Sequence, residues 1–132
     1  MSQYRPEIDN STRGFWAAAA DGRLVAERCA DCQEISPYPR GFCPSCWSPR
    51  VEEVELSGRA VLYTYSVVRV NPMPPFAGLV PYVAAIVESE EGPRFVTRLV
   101  DVDVESVHVG MPLRATFQRV DDGEGLVLFT GA

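Results

Sequence analysis

Four cysteines carry the clearest chemical pattern in this chain. Cys29, Cys32, Cys43 and Cys46 lie in RCADCQEISPYPRGFCPSCWSPR as two C-x2-C pairs separated by ten residues. A thiolate can act as a nucleophile, a redox partner or a metal ligand. Paired at this spacing, the four sulfurs suit one tetrahedral ion. Zinc is the expected metal; iron in a rubredoxin-like four-sulfur site accepts the same ligands. Two disulfides would need an oxidising compartment. A redox dithiol would sit beside a βαβ pattern, which this sequence lacks. Four cysteine ligands close the coordination sphere and leave no position for water or substrate. One ion per chain is therefore expected to be structural. The segment also needs it, because Ile35, Tyr38 and Phe42 are its few large apolar residues and cannot alone offset the entropy of ordering the backbone.

The elements that must hold this site follow from the flanking sequence. DNSTRGFWAAAADGRL predicts a short helix, with Asn10, Ser11 or Thr12 able to cap its start, alanines at 17–20 and a left-handed stop at Gly22. So short a helix must pack on something, and Phe15 and Trp16 are the means: they anchor it on this domain or meet a partner. From Val51 onward the chain is rich in Val, Leu, Tyr, Phe and Thr, in runs broken by Gly, Pro and Asp. Five strands are predicted, over 58–70, 81–89, 93–100, 111–120 and 125–131, with turns at EEG and DDGE. With no long helical pattern between them, they imply a small barrel. The fold class is mainly β: an N-terminal helical segment over 1–24, a metal-binding cysteine segment over 25–50 and a five-stranded barrel over 51–132. NPMPPFAGLVP is the one long irregular connection, stiffened by four prolines. Met73, Phe76 and Leu79 in it either form a contact surface or cap the barrel.

The 132 residues, 46% of them hydrophobic, suffice for one modest domain. The net charge is −6 and the chain has no lysine. Nucleic-acid affinity rests on neutralising phosphates with cations, so an acidic chain without a basic run is a poor binder of them. No apolar window is long enough to span a membrane, and MSQYRPEIDN has no signal-peptide core. A cytoplasmic location is expected, where thiols stay reduced.

Catalytic patterns are hard to find. His108, the single histidine, precedes a Gly-Met-Pro turn with no nucleophile elbow in the sequence. DVDVE at 101–105 lacks the glycine and spacing of a calcium loop. The sequon Asn10-Ser11-Thr12 carries no weight in a chain with no sign of secretion.

FWAAAADGRLVAERCADC, YPRGFCPSC, GRAVLYTYSVV, PYVAAIVESEEGPRF and VGMPLRATF together resemble the family once labelled domain of unknown function 35, an acyl-CoA-associated OB-fold with an N-terminal rubredoxin-like zinc ribbon. The resemblance covers about 8–129 and implies that the cysteine segment over 25–50 is a zinc ribbon and the barrel over 51–132 an OB-fold. One departure is Gln33, where many members have a glycine after the first knuckle; a positive φ costs more at glutamine. The resemblance implies a non-catalytic subunit that binds a thiolase-fold enzyme, a thiolase or a steroid side-chain retro-aldolase, and in some assemblies a MaoC-type hydratase. Such a subunit helps complete the acyl-CoA entrance. The zinc ligands carry over to Cys29, Cys32, Cys43 and Cys46. Residues proposed to supply the partner or CoA surface are Phe15 and Trp16 on the helix, Tyr38, Arg40 and Phe42 on the ribbon, and Met73, Phe76 and Leu79 in the loop. Two other readings stand beside it: a single-stranded nucleic-acid-binding OB-fold module, and a free-standing acyl-CoA thioesterase.

Overall fold

The computed structural model describes residues 12–73, 76–119 and 125–132. The capping candidates Asn10 and Ser11, Pro74 and Pro75 of the long loop, and the DDGE turn lie outside them. Helix α1 spans Arg13–Ala20, with Thr12 at its N-cap position. It ends as expected: Gly22 takes φ 76°, its N–H bonds Ala19 O at 3.0 Å and the Arg23 N–H bonds Ala18 O at 2.9 Å. This pair of reversed bonds is a Schellman cap.

Three short strands follow. β1 (Val25–Cys29) is flanked by β2 (Ile35–Ser36) and β3 (Val51–Glu55), both antiparallel to it. The ribbon's sheet thus extends through Glu55, beyond the boundary at residue 50 read from composition. The reason is pairing: all five residues of β3 have a register partner on β1.

The barrel strands are β4 (Arg59–Val68), β5 (Tyr82–Ser89), β6 (Arg94–Leu99), β7 (Pro112–Arg119) and β8 (Gly125–Gly131). They close in the order β4-β5-β6-β8-β7, with β7 pairing back on β4. Each falls inside or on its sequence-predicted range. β5 shows why: Val83, Ala85, Val87 and Ser89 are buried while the residues between them are not, the period of two that lays one face on a core. Leu62, Phe95, Leu99, Leu113 and Phe129 complete that interior. The EEG turn is present, with Gly92 at φ 117° and its N–H on Ser89 O at 3.0 Å.

Helix α1 lies directly on β8. A Cβ added at Gly125 would fall 2.3 Å from the backbone of Ala19, so only a hydrogen there permits the approach. No helix among the described residues is long and apolar enough to cross a membrane.

Candidate metal centre and adjoining cavity

The two C-x2-C pairs fold into the same turn twice. In the first, the Gln33 N–H bonds Cys29 O at 2.9 Å; in the second, the Trp47 N–H bonds Cys43 O at 2.8 Å. The Cys29 N–H donates to Glu34 O and the Cys43 N–H to Ser48 O, both at 2.9 Å. Gln33 and Trp47 each adopt φ 66°, so the knuckle imposes a left-handed residue after its second cysteine whatever side chain stands there. In the first turn the amides of Asp31 and Cys32 point at Cys29 Sγ, at 3.3 and 3.4 Å.

This geometry gathers the thiols. Cys29 Sγ lies 3.6 Å from Cys46 Sγ, Cys32 Sγ lies 3.5 Å from Cys43 Sγ, and all four fall within 4.8 Å of one another. A disulfide would need about 2.05 Å. Tetrahedral thiolates about 2.3 Å from a zinc ion would stand about 3.8 Å apart. The residues therefore fit a metal. Electrostatics agree: the Cys32 amide first, then that of Asp31, hold the Cys29 thiol down to about 7 against the opposing effect of burial. Cys32 is pushed up to about 12, the lowering effect of the Glu34 amide being outweighed by its sulfur neighbours and burial together. Four such sulfurs cannot all ionise without a cation among them. The outer layer ties the knuckles to each other: Ser48 Oγ donates to Asp31 Oδ2, Arg50 pairs with Asp31 at 3.0 Å, and the Ala30 N–H bonds Arg50 O at 2.8 Å.

Tyr38 carries the ribbon onto the barrel. Its Oη accepts the Val96 N–H at 2.7 Å, and its ring meets Phe15 and Phe95 edge-on at 6.3 and 5.7 Å. Burial pushes its phenol pKa up, partly offset by the Val96 amide. Beside it opens a cavity of about 530 Å³. Five of the eight surface candidates line it: Phe15, Trp16, Tyr38, Phe76 and Leu79. The loop is held there by Asn71, whose Nδ2 donates to Tyr82 Oη at 2.9 Å and whose Oδ1 accepts the Met73 N–H at 3.0 Å.

The other three lie outside the lining. Met73 is exposed. Arg40 is exposed, and its backbone N–H donates to Glu27 at 3.0 Å. Phe42 stacks flat on Trp47 with centroids 5.4 Å apart. Of the two roles open to it, Phe15 takes the anchoring one: it is 6% exposed and belongs to the core, because α1 has no other large apolar side chain besides Trp16 with which to bury itself. Sequence reasoning missed Trp47, 75% exposed, and Arg98 in the cavity wall. Trp47 could have been found from its place after Cys46, matching Gln33 after Cys32. His108 is exposed, its Nδ1 3.1 Å from Ser106 O in a turn. In the DVDVE segment, Asp103 accepts the Glu105 N–H at 3.0 Å. Among the described residues, the four cysteines alone form a cluster suited to a metal.

Residues 16–52 match the family described as the ChsH2 rubredoxin-like zinc ribbon domain, and residues 53–118 the ChsH2 C-terminal OB-fold domain. A DUF35 domain-containing scaffold protein of Methanocaldococcus jannaschii is 41% identical over 110 residues, 82% of this chain and 77% of that protein. The chain belongs to the DUF35 family. The DUF35 ribbon and barrel also match the solved structure "Ltp2-ChsH2(DUF35) aldolase" with a TM-score of 0.84 and 35% identity, covering 96% of this chain and 98% of that one. A probable enoyl-CoA hydratase alpha subunit of Thermomonospora curvata is 36% identical over 97% of this chain, which spans only 40% of that longer protein.

Proposed function

We propose that this chain is a non-catalytic accessory subunit that binds a thiolase-fold enzyme, a thiolase or a steroid side-chain retro-aldolase, and supports its processing of acyl-CoA. The observation that carries the reading is the pairing of a saturated four-cysteine centre with a largely apolar cavity at the junction of ribbon and barrel. The first offers no open ligand position; the second offers concave apolar surface of the kind that holds small molecules. In this reading Cys29, Cys32, Cys43 and Cys46 hold one structural Zn²⁺, and the catalytic groups belong to the partner. The names of the similar proteins support it: scaffold protein and aldolase for two of them. The hydratase name of the Thermomonospora relative supports a MaoC-type hydratase as a further partner class. Reduced metal thiolates would support a cytoplasmic location for the complex.

Co-expression with a thiolase-like enzyme tests the reading. The two chains are expected to co-elute on size exclusion, and the enzyme to lose acyl-CoA turnover when this chain is omitted. Separate elution with unchanged turnover would defeat it, as would thiol release from acyl-CoA by the purified chain alone.

A further inference from the structure

The cavity wall contains one charged side chain, Arg98, on β6. Arg23, Arg28, Arg50, Arg59, Arg69 and Arg94 all pair with carboxylates. Arg98 forms no ion pair among the described residues, yet it is half-buried, whereas the other unpaired arginines are exposed. Burial lowers its pKa, as expected of a cation withdrawn from water without a partner. Two polar groups of the wall are already engaged: Thr97 Oγ1 donates to Val127 O at 3.0 Å, and Tyr82 Oη accepts from Asn71. A guanidinium offers five donors in a plane. In a chain of net charge −6, an arginine left unpaired in an apolar wall is a counter-ion awaiting an anion.

We propose that this cavity binds an aliphatic or alicyclic monocarboxylic acid, its apolar body against Phe15, Trp16 and Phe76 and its carboxylate paired with Arg98. A volume of about 530 Å³ falls in the range of small-molecule sites. A carboxylate matches the guanidinium fork two bonds at a time. It also cancels the single charge of the wall, whereas a doubly charged phosphate would leave an excess negative charge in an apolar wall. The proposal concerns the isolated chain, so it stands or falls apart from the partner enzyme.

Trp16 reports on the site directly, since Trp47 is the only other tryptophan and lies outside the lining. In the zinc-loaded full chain carrying Trp47→Phe, Trp16 emission is titrated with decanoate, decan-1-ol and decyl phosphate. Decanoate is expected to give a saturable change and to bind about tenfold or more tighter than the alcohol, as a charge-assisted pair implies, and tighter than decyl phosphate. Arg98→Gln is expected to bring decanoate to the level of the alcohol, leave the alcohol unchanged and leave Tm unchanged; Arg98→Lys should retain part of the preference. Equal affinity for acid and alcohol, a preference for the phosphate, no response of Trp16, or a preference that survives Arg98→Gln each overturns the proposal. The ligand comparison in the chain with Arg98 intact decides the matter even if an Arg98 variant folds poorly.

Discussion

The ribbon and the barrel solve one problem by opposite means. The barrel orders its backbone by burying an alternating apolar face: Leu62, Val83, Val87, Leu113 and Phe129 are each at most 1% exposed. In the knuckle segment, by contrast, the residues buried to that degree are two of the candidate metal ligands, Cys29 and Cys43. Its ring stack, Phe42 on Trp47, faces water on the Trp47 side. Hydrophobic burial scales with apolar area, so the barrel tolerates many substitutions singly. A four-ligand centre has no such redundancy, and losing one ligand weakens the whole. The difference means that the knuckles should fail before the barrel, to which they are tied through Tyr38, α1, the link at 56–58 and the buried β1 side chains Val25 and Ala26, which share the barrel's core cluster.

The sharpest way to break that comparison is to take the metal away. Chelation, or Cys43→Ser, is expected to remove stabilisation on the order of 10 kcal/mol from the ribbon. Amides of Cys29, Gln33, Cys43 and Trp47 should lose hydrogen-exchange protection while those of Val87 and Leu113 keep theirs. Loss of protection across the barrel at the same rate would show that the two regions unfold as one.

Gly125→Ala comes next, because it attacks the barrel's side of the bargain. The new methyl would collide with the Ala19 backbone at 2.3 Å, and backbone cannot swing aside as a side-chain tip can. A loss of about 3 kcal/mol is expected in urea unfolding, with Trp16 emission shifted as α1 lifts. Metal content should stay at one ion per chain. An unchanged midpoint would mean that the helix contributes little to barrel stability.

How far these features were legible in the sequence follows the same division. Cysteine spacing announces a metal centre because ligand chemistry is local, and alternation announces β5 because pleating is local. Gln33 is instructive: through the family resemblance its left-handed φ of 66° was readable as a position where relatives carry glycine, and the same logic applies to Trp47. β3 was hidden in the barrel's texture, since its pairing with β1 is decided by register across more than twenty residues of sequence. Arg98 was invisible for a related reason. Nothing in RFVTRL distinguishes its second arginine from its first, yet Arg94 pairs with Glu88 and stacks over Tyr63, whereas Arg98 faces the cavity. The meeting of Phe15, Tyr38 and Phe76 in one wall depends on how helix, ribbon and loop dock, which only the tertiary structure states.

Tyr38→Phe sharpens the comparison at the junction. The ring contacts with Phe15 and Phe95 survive; only the acceptor for the Val96 N–H is lost. The expected cost is about 1 kcal/mol, read as faster exchange of the Val96 amide and a lower ribbon midpoint, with metal affinity little changed. A full loss of ribbon folding would instead make the single hydrogen bond, rather than metal and ring packing together, the main link between the halves.

The smallest effect should come from the link at 56–58, where electrostatics fix the start of the barrel. Glu90 accepts from Arg59 Nε and from Ser57 Oγ, both at 2.9 Å, and Glu91 accepts the Ser57 N–H at 2.7 Å. The bond from Arg59, then that from Ser57, hold the Glu90 carboxyl below its ordinary value of 4.5. A carboxyl whose folded pKa is depressed binds its proton less readily folded than unfolded. Its stabilisation is complete above the unfolded value and fades as pH falls through the folded one. Because the pair is exposed, water screens most of the attraction. Tm of the parent chain should therefore decline slightly more steeply than that of Glu90→Gln as pH drops from about 5 toward 3. Parallel curves would show that the Ser57 and Arg59 contacts are made at no electrostatic gain, leaving the link to be held by the Leu56 N–H on Leu24 O at 2.8 Å and by the burial of Leu56.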